Sequence, residues 1–249
     1  MPPGCANDTV SDRLEATPLY RKVGELLATR IDEGFWQAGE MLPNEFVLAD
    51  QFNVSQGTVR KALGTLESRG IVERRQGRGT FVTTNTDERS FYHFFRLAEP
   101  GGERVKPEPH SEKIKRRKAT KQEQQQLGTA DNTDVFEIVR VRVVGEHRAS
   151  RETMLIPCDI APTLQSLKGK LPNSLYPYYQ QQFGTMVLRA EEYIAAVTAN
   201  RLVADALQIE PGTPVLEVTR TAHDIKDRVV ELRVSQFRSD LFNYNVTLR

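Results

Sequence analysis

The spacing of apolar residues changes character along this chain, and each change predicts a different element. Leu19, Tyr20, Val23, Leu26, Leu27 and Ile31 recur every three or four positions, which predicts an amphipathic helix that ends before Gly34. Leu48 and Phe52 then lie one turn apart behind Pro43 and an Asn44 cap, a helix of about two turns. Asn53 and Val54 turn the chain. Ser55 caps a further helix in which Val59, Ala62, Leu63 and Leu66 keep helical spacing until Gly70. The following IVERR, QGRG and TFV read as a hairpin with glycines at its tip. Three helices and a basic hairpin in this order predict a winged helix-turn-helix, its small core completed by Phe35, Trp36 and Leu42.

Past Val82 the period is lost over Thr83 to Glu88, TTNTDE, which predicts a linker. The chain then divides into a disordered leader at 1–17, a first domain at 18–82, the linker at 83–88 and a second domain at 89–249. Phe91, Tyr92, Phe94, Phe95 and Leu97, followed by Glu99-Pro100-Gly101-Gly102 and a return through Pro107 and Pro109, read as a strand, a turn and an extended stretch.

A repeat follows. A polar helix ending at Leu127 leads to VFEIVRVRVV and, past Gly145-Glu146-His147, to RETMLIP; a helix ending at Leu207 leads to VLEVTRTAHD and, past Lys226-Asp227, to VELRVSQF. Val135, Phe136, Glu137, Ile138 and Arg140 have counterparts eighty residues on in Val215, Leu216, Glu217, Val218 and Arg220. Two copies predict an α+β domain with internal pseudo-symmetry. A turn centred on Glu146 sets Arg140 opposite Glu152 and Arg142 opposite Ser150, and a turn centred between Ile225 and Lys226 sets Arg220 opposite Glu231. By the period of two, Phe136, Ile138, Arg140 and Arg142 share one face and Val135, Val139, Val141 and Val143 the other. The valine face is expected to be core, the arginine face solvent or a pocket. Between the copies, SLYPYYQQQF reads as a helix capped by Ser174 and carrying Tyr176, Tyr178 and Tyr179. MVLRAEEYIAAV alternates, placing Arg189, Glu191 and Tyr193 on one face, where they line a cleft or coat the sheet.

Composition narrows the function. With 249 residues, 39% hydrophobic and 27% charged, the chain suits two modest domains. No run approaches the ~18 to 20 apolar residues of a membrane helix, and no basic stretch followed by an apolar one begins the chain, so a cytoplasmic location is expected. Cys5 and Cys158 have neither metal nor disulfide spacing and are expected as reduced thiols; His93, His110, His147 and His223 are scattered, and no metal or cofactor is implied. The net charge is only +1, yet Ser55 to Val82 holds six basic residues against Glu67 and Glu73, a local +4. A basic face on a balanced protein fits sequence-directed binding to double-stranded DNA. Gln56, Thr58, Arg60 and Lys61 lie in the first two turns of the second helix of the motif, off its apolar stripe, where base edges and phosphates are met, and Arg74, Arg75 and Arg78 project from the wing. The cluster Lys113 to Lys118 either touches phosphate or, the commoner case, coats a strand edge.

These motifs carry a resemblance. LPNE, GTVRKAL, LESRG and GRGTFV, over about 65 residues, resemble the DNA-binding domain of the GntR family of bacterial transcription regulators. The resemblance adds Asn44, Glu45, Ser55, Gly79 and Thr80 to the DNA-binding set. Phe46 and Gln56 stand where the family usually has arginine, so its usual operator is not implied. From about Phe91 to the C-terminus, RVR, ETMLIP, SLY, ALQIEPGTPVLEVTR and VVELRVSQFRSD resemble the UTRA ligand-binding domain of the HutC subfamily. That likeness implies a chorismate-lyase-like α+β domain with an antiparallel sheet, which forms a homodimer and binds a small anionic effector of the phosphosugar or carboxylate class. It assigns Arg140 and Arg142 to the effector's anionic group, Glu152 and Glu231 to its polar groups, and Tyr176 and Arg238 to the same pocket.

The expected function is an effector-responsive regulator, a repressor on a pseudo-palindromic operator. An enzyme of lyase-like fold is the rival, weakened because no nucleophile, base and orienting group can be assembled from spacing. A DNA-binding protein that takes no ligand is the third reading.

Overall fold

The computed structural model describes residues 17–164 and 171–247, with backbone alone at 91–93. The leader expected at 1–17, with Cys5, lies almost wholly outside the described residues.

Helices α1 (Leu19–Asp32), α2 (Glu45–Gln51) and α3 (Gln56–Ser68) pack around Val23, Leu27, Trp36, Leu48, Val59, Leu63 and Leu66. Both expected caps form: the Asn44 side chain accepts the Val47 N–H at 3.0 Å and Ser55 Oγ that of Thr58 at 3.2 Å. Strands β1 (Val72–Arg75) and β2 (Gly79–Val82) make the wing, with Arg75 opposite Gly79. Gly79 has φ +119°, and a Cβ there would meet Met41 Sδ at 3.2 Å, so the tip requires glycine on two counts. Phe35 is not in the core. It is 68% exposed and stands edge-on to Trp36, which takes the inward position alone after the Gly34 turn.

Residues 87–94 are a helix, α4 (Asp87–Phe94), where alternation predicted a strand. Thr86 Oγ1 accepts the Arg89 N–H at 3.1 Å and Asp87 and Glu88 occupy the first turn, so polar residues at the N-terminus, rather than the short aromatic run behind them, decide the conformation. A small ribbon of β3 (Leu97–Ala98) and the late β10 (Asn243–Tyr244) follows.

The second domain is built from β4 (Glu108–Lys118), α5 (Lys121–Leu127), β5 (Asp134–Val144), β6 (His147–Pro157), α6 (Leu175–Phe183), β7 (Val187–Thr198), α7 (Arg201–Leu207), β8 (Pro214–Asp224) and β9 (Val229–Arg238). Its six strands run β4-β5-β6-β9-β8-β7, all antiparallel, so the two copies of strand, helix and hairpin meet at the β6–β9 seam. Helix α5 crosses β9 and α7 crosses β6, each copy covering a strand of the other.

The faces of this sheet correct the sequence expectation in part. On the valine face Val135 and Val141 are buried as expected and Val139 and Val143 only half-buried, whereas Phe136, Ile138, Arg140 and Arg142 are all buried, the first two against α6. Alternation reports which residues share a face and not which face is deeper. Arg189, Glu191 and Tyr193 coat the outside of β7, and Tyr193 is 71% exposed. Four basic residues of β4 pair with acids, Lys115 with Glu137, Arg116 and Lys118 with Asp134, and Arg117 with Glu123 and Glu137, as a coated edge strand would.

The two domains are joined by more than the chain. Met186 and Ile225, the latter in the β8–β9 turn, belong to the core of the first domain. Arg69 donates to the Ile225 carbonyl at 2.9 Å, and Lys226 meets Asp32 at 2.6 Å. The stretch expected as a linker is partly buried: Gln180 of α6 donates to the Thr83 carbonyl at 2.9 Å and accepts the Asn85 N–H at 2.7 Å.

Candidate functional site

Two sets of polar side chains stand out, one on the first domain's surface and one inside the second. On the first, Glu45 is the organiser. Its carboxylate accepts Arg60 Nε at 2.9 Å and Nη2 at 2.8 Å, Gln56 Nε2 at 3.3 Å, and has Arg74 of the wing at 3.8 Å. The first turns of α2 and α3 and the wing thus form one surface, with the Arg60 side chain 60% exposed on it. Thr58 Oγ1 bonds Ser55 Oγ, Lys61 Nζ sits 4.1 Å above the Tyr20 ring, and Arg75 lies over Phe81 beside Glu73. Arg78 and Gly79 are exposed at the wing tip and Thr80 half-buried beside them. The expected DNA-binding residues are therefore contiguous, with Asn44 serving as the cap of α2.

Inside the second domain, four arginines and four glutamates are packed beneath α4 and α6. Arg140 donates through Nε and Nη2 to Glu112, at 3.1 and 2.9 Å, and through Nη1 to the carbonyls of Pro172 and Asn173. Arg142 donates Nε to Glu152 at 2.9 Å, Nη2 to the Asn173 carbonyl at 3.0 Å and Nη1 to the Asn173 side chain. Arg233 pairs with Glu231 at 2.7 Å, and Arg220 with Glu192 while also donating to the Phe94 carbonyl at the end of α4. Tyr176 and Tyr179 hydroxyls donate to Glu231 at 3.1 and 3.0 Å.

These contacts revise the expected pairs. Arg140 does lie opposite Glu152, but Glu152 accepts from Arg142, one diagonal away, and Arg140 turns to Glu112 on β4. Glu231 faces Ala222, and Arg220 faces Arg233. The turn is centred later than expected because Asp224 accepts the Lys226 and Arg228 N–H groups, Asp227 takes φ +65°, and a register shift falls between Ala222 and His223. Arg238 is not brought to the cluster: it lies on the opposite face of β9 and pairs with Asp240.

Electrostatics hold Glu152 ionised. Burial opposes ionisation of Glu152, but Arg142, Arg233 and Arg140 together outweigh it and hold its pKa down to about 2. Burial, with Glu231 beside it, pushes the Tyr176 hydroxyl up to about 12, so it donates at neutral pH. Two adjoining voids of about 10 and 20 Å³ share Phe94, Phe95, Arg220 and Arg233 as walls. Ser90 of α4 and Ser174 line the smaller, and both hydroxyls are buried with no hydrogen-bond partner among the described residues. Ser174 was expected as the cap of α6; it occupies that position but makes no cap bond.

The pattern of the bacterial regulatory proteins of the gntR family matches residues 19–82, and that of the UTRA domain matches residues 104–243, more than half the chain. The chain belongs to the GntR family. This GntR-family protein is 30% identical over 228 residues to the transcriptional regulator GgaR of Escherichia coli strain K12, spanning 91% of this chain and 89% of that one. It is 28% identical over 228 residues to the transcriptional repressor NagR of Bacillus subtilis strain 168, spanning 91% and 93%. A GntR-family ligand-binding domain from Bordetella bronchiseptica matches with a TM-score of 0.60 and 26% identity, over 64% of this chain and 99% of that one.

The GntR-family protein is accordingly a DNA-binding transcription regulator with a UTRA domain, and not an enzyme. Among its described residues no helix is long and apolar enough to cross a membrane, and no group of three His, Cys, Asp or Glu side chains could hold a metal ion. Sequence reasoning missed Glu112, Glu192, Arg233, Ser90 and Asn173. The period of two held the signal for Arg233, which shares a strand face with Glu231, but the other four come from segments distant in sequence from the strands that carry the arginines, and no local period encodes their approach.

Proposed function

We propose that this regulator is a homodimeric, cytoplasmic repressor of the HutC type, released from a pseudo-palindromic operator when a small anion of the phosphosugar or carboxylate class enters the chamber formed by the buried arginine–glutamate cluster, whose two voids of about 10 and 20 Å³ must widen to admit it. One observation carries the reading. Arg142 turns both terminal nitrogens to neutral oxygens of Asn173 while Glu152 holds its Nε, and Arg140 turns Nη1 to the carbonyls of Pro172 and Asn173 while Glu112 holds its Nε and Nη2. A planar fork offered to carbonyl oxygens is the fork a phosphate or carboxylate would take, with a stronger, charge-assisted pairing. The unpaired Ser90 and Ser174 hydroxyls would supply further donors, and Glu152, Glu231 and Tyr176 would hold the polar remainder of the effector.

Ser90 and the Phe94 carbonyl belong to α4, which follows directly from the wing strand through the Gln180 clamp. An anion that draws in Ser90 and Ser174 would favour one setting of α4 and hence one placement of the DNA-binding domains across the dimer; the effector acts only through such a difference in affinity. The test is Arg142→Lys, which keeps a charge for Glu152 but loses the fork. Screened against phosphosugars and small carboxylates, the parent should show a thermal shift and release DNA with at least one of them. The variant should bind DNA equally well and need at least about tenfold more effector. Equal response in both proteins would remove the anion from this chamber.

A further inference from the structure

The DNA-facing surface contains a large exposed aromatic side chain, with Val47 beside it 43% exposed. Phe46, the second residue of α2, is 71% exposed, directly after the Glu45 that binds Gln56 and Arg60. A phenylalanine offers no donor, acceptor or charge, so it can bind neither a phosphate nor the polar edge of a base. The apolar feature a major groove does present is the C5-methyl group of thymine. Beside it, Gln56 is the first residue of α3, half-buried, with its carboxamide held by a long 3.3 Å bond to Glu45. A carboxamide carries one acceptor and one donor side by side, the complement of adenine N6 and N7. In the first two turns of α3 the arginine is Arg60, and its Nε and one terminal nitrogen are already fixed by Glu45.

We propose that Phe46 and Gln56 make this regulator read A·T pairs at the two half-site positions nearest the α2 and α3 N-termini: Phe46 packs on a thymine methyl and Gln56 pairs with an adenine. Guanine reading falls to Arg60. Glu45 acts as the positioning residue, since one carboxylate sets both the Gln56 amide and the Arg60 guanidinium. The inference rests on the reading of α3 and the wing as the DNA interface.

The experiment starts with selection of bound duplexes from a random pool by the full-length protein at physiological salt. Each thymine of the enriched half-site is then replaced in turn by deoxyuridine, which removes only the methyl group, and each adenine by 7-deazaadenine, which removes only N7. Binding is compared for the parent, Phe46→Ala and Gln56→Ala. At one thymine the parent should lose roughly fourfold in affinity, the worth of one buried methyl, and Phe46→Ala should bind both duplexes alike. At one adenine the parent should lose about fivefold or more, and Gln56→Ala should be indifferent. Phe46 is exposed, so its replacement leaves the fold intact. A palindrome in which Phe46→Ala and Gln56→Ala respond to every analogue as the parent does would overturn the proposal while leaving the DNA interface standing. Enrichment of no sequence would overturn the interface and the proposal together.

Discussion

Gln180→Met tests whether the two domains are one mechanical unit. Gln180 is buried, and its carboxamide spans the Thr83 carbonyl and the Asn85 N–H, both on residues that are themselves buried. Methionine has nearly the same volume, so the cavity contribution is small and the loss is that of two hydrogen bonds. Each buried backbone group left without its partner costs about 1 to 3 kcal/mol, which makes about 2 to 6 kcal/mol for the pair. The single tryptophan, Trp36, lies in the core of the first domain and reports its unfolding in urea. Although the substitution lies in the second domain, the Trp36 transition should move to lower urea in Gln180→Met, and exchange of the Asn85 amide should quicken. A Trp36 transition that shifts by less than about 0.5 kcal/mol in Gln180→Met would refute the coupling.

Three further outcomes follow from the same geometry. Ser90→Ala removes a buried hydroxyl that has no partner among the described residues, so it should leave stability unchanged or raise it by up to about 1 kcal/mol while weakening the effector-induced thermal shift; lowered stability would mean the hydroxyl is bonded. Glu45→Gln loosens Arg60 and should weaken operator binding about tenfold, with effector binding untouched, and a parallel fall in both would contradict the separation of the sites. Glu152, whose pKa is depressed to about 2 in the fold, contributes stability that is present above about pH 4.5 and is lost as pH falls towards 2. Urea midpoints measured across that interval should decline steadily, and a flat profile would show that its partners do not hold the carboxylate.

How much of this was readable beforehand depends on the range of the interaction. The caps Asn44 and Ser55, the wing glycines and the order of the helix-turn-helix are local, and the structure has each where the residues placed it. The first hairpin's register, Arg140 opposite Glu152, was also legible because its turn is short. The second failed by two residues, since Asp224 folds the turn on itself through side-chain bonds that period-two counting ignores. The chamber was half legible. Arg140, Arg142, Glu152, Glu231 and Tyr176 do converge, but the partner of Arg140 comes from β4 and the lining hydroxyls from α4 and the α6 cap, brought in by tertiary packing alone.

Ile225 carries a consequence for how the protein is made. The first domain's helices and wing are complete by Val82, yet two members of its core, Met186 and Ile225, are encoded far downstream. A nascent chain leaving the ribosome therefore presents a helix-turn-helix with an open apolar notch, which closes only when the tip of the β8–β9 hairpin arrives. The packing of the first domain is therefore finished late in translation, and a message truncated before that hairpin would leave the apolar site of Ile225 uncovered.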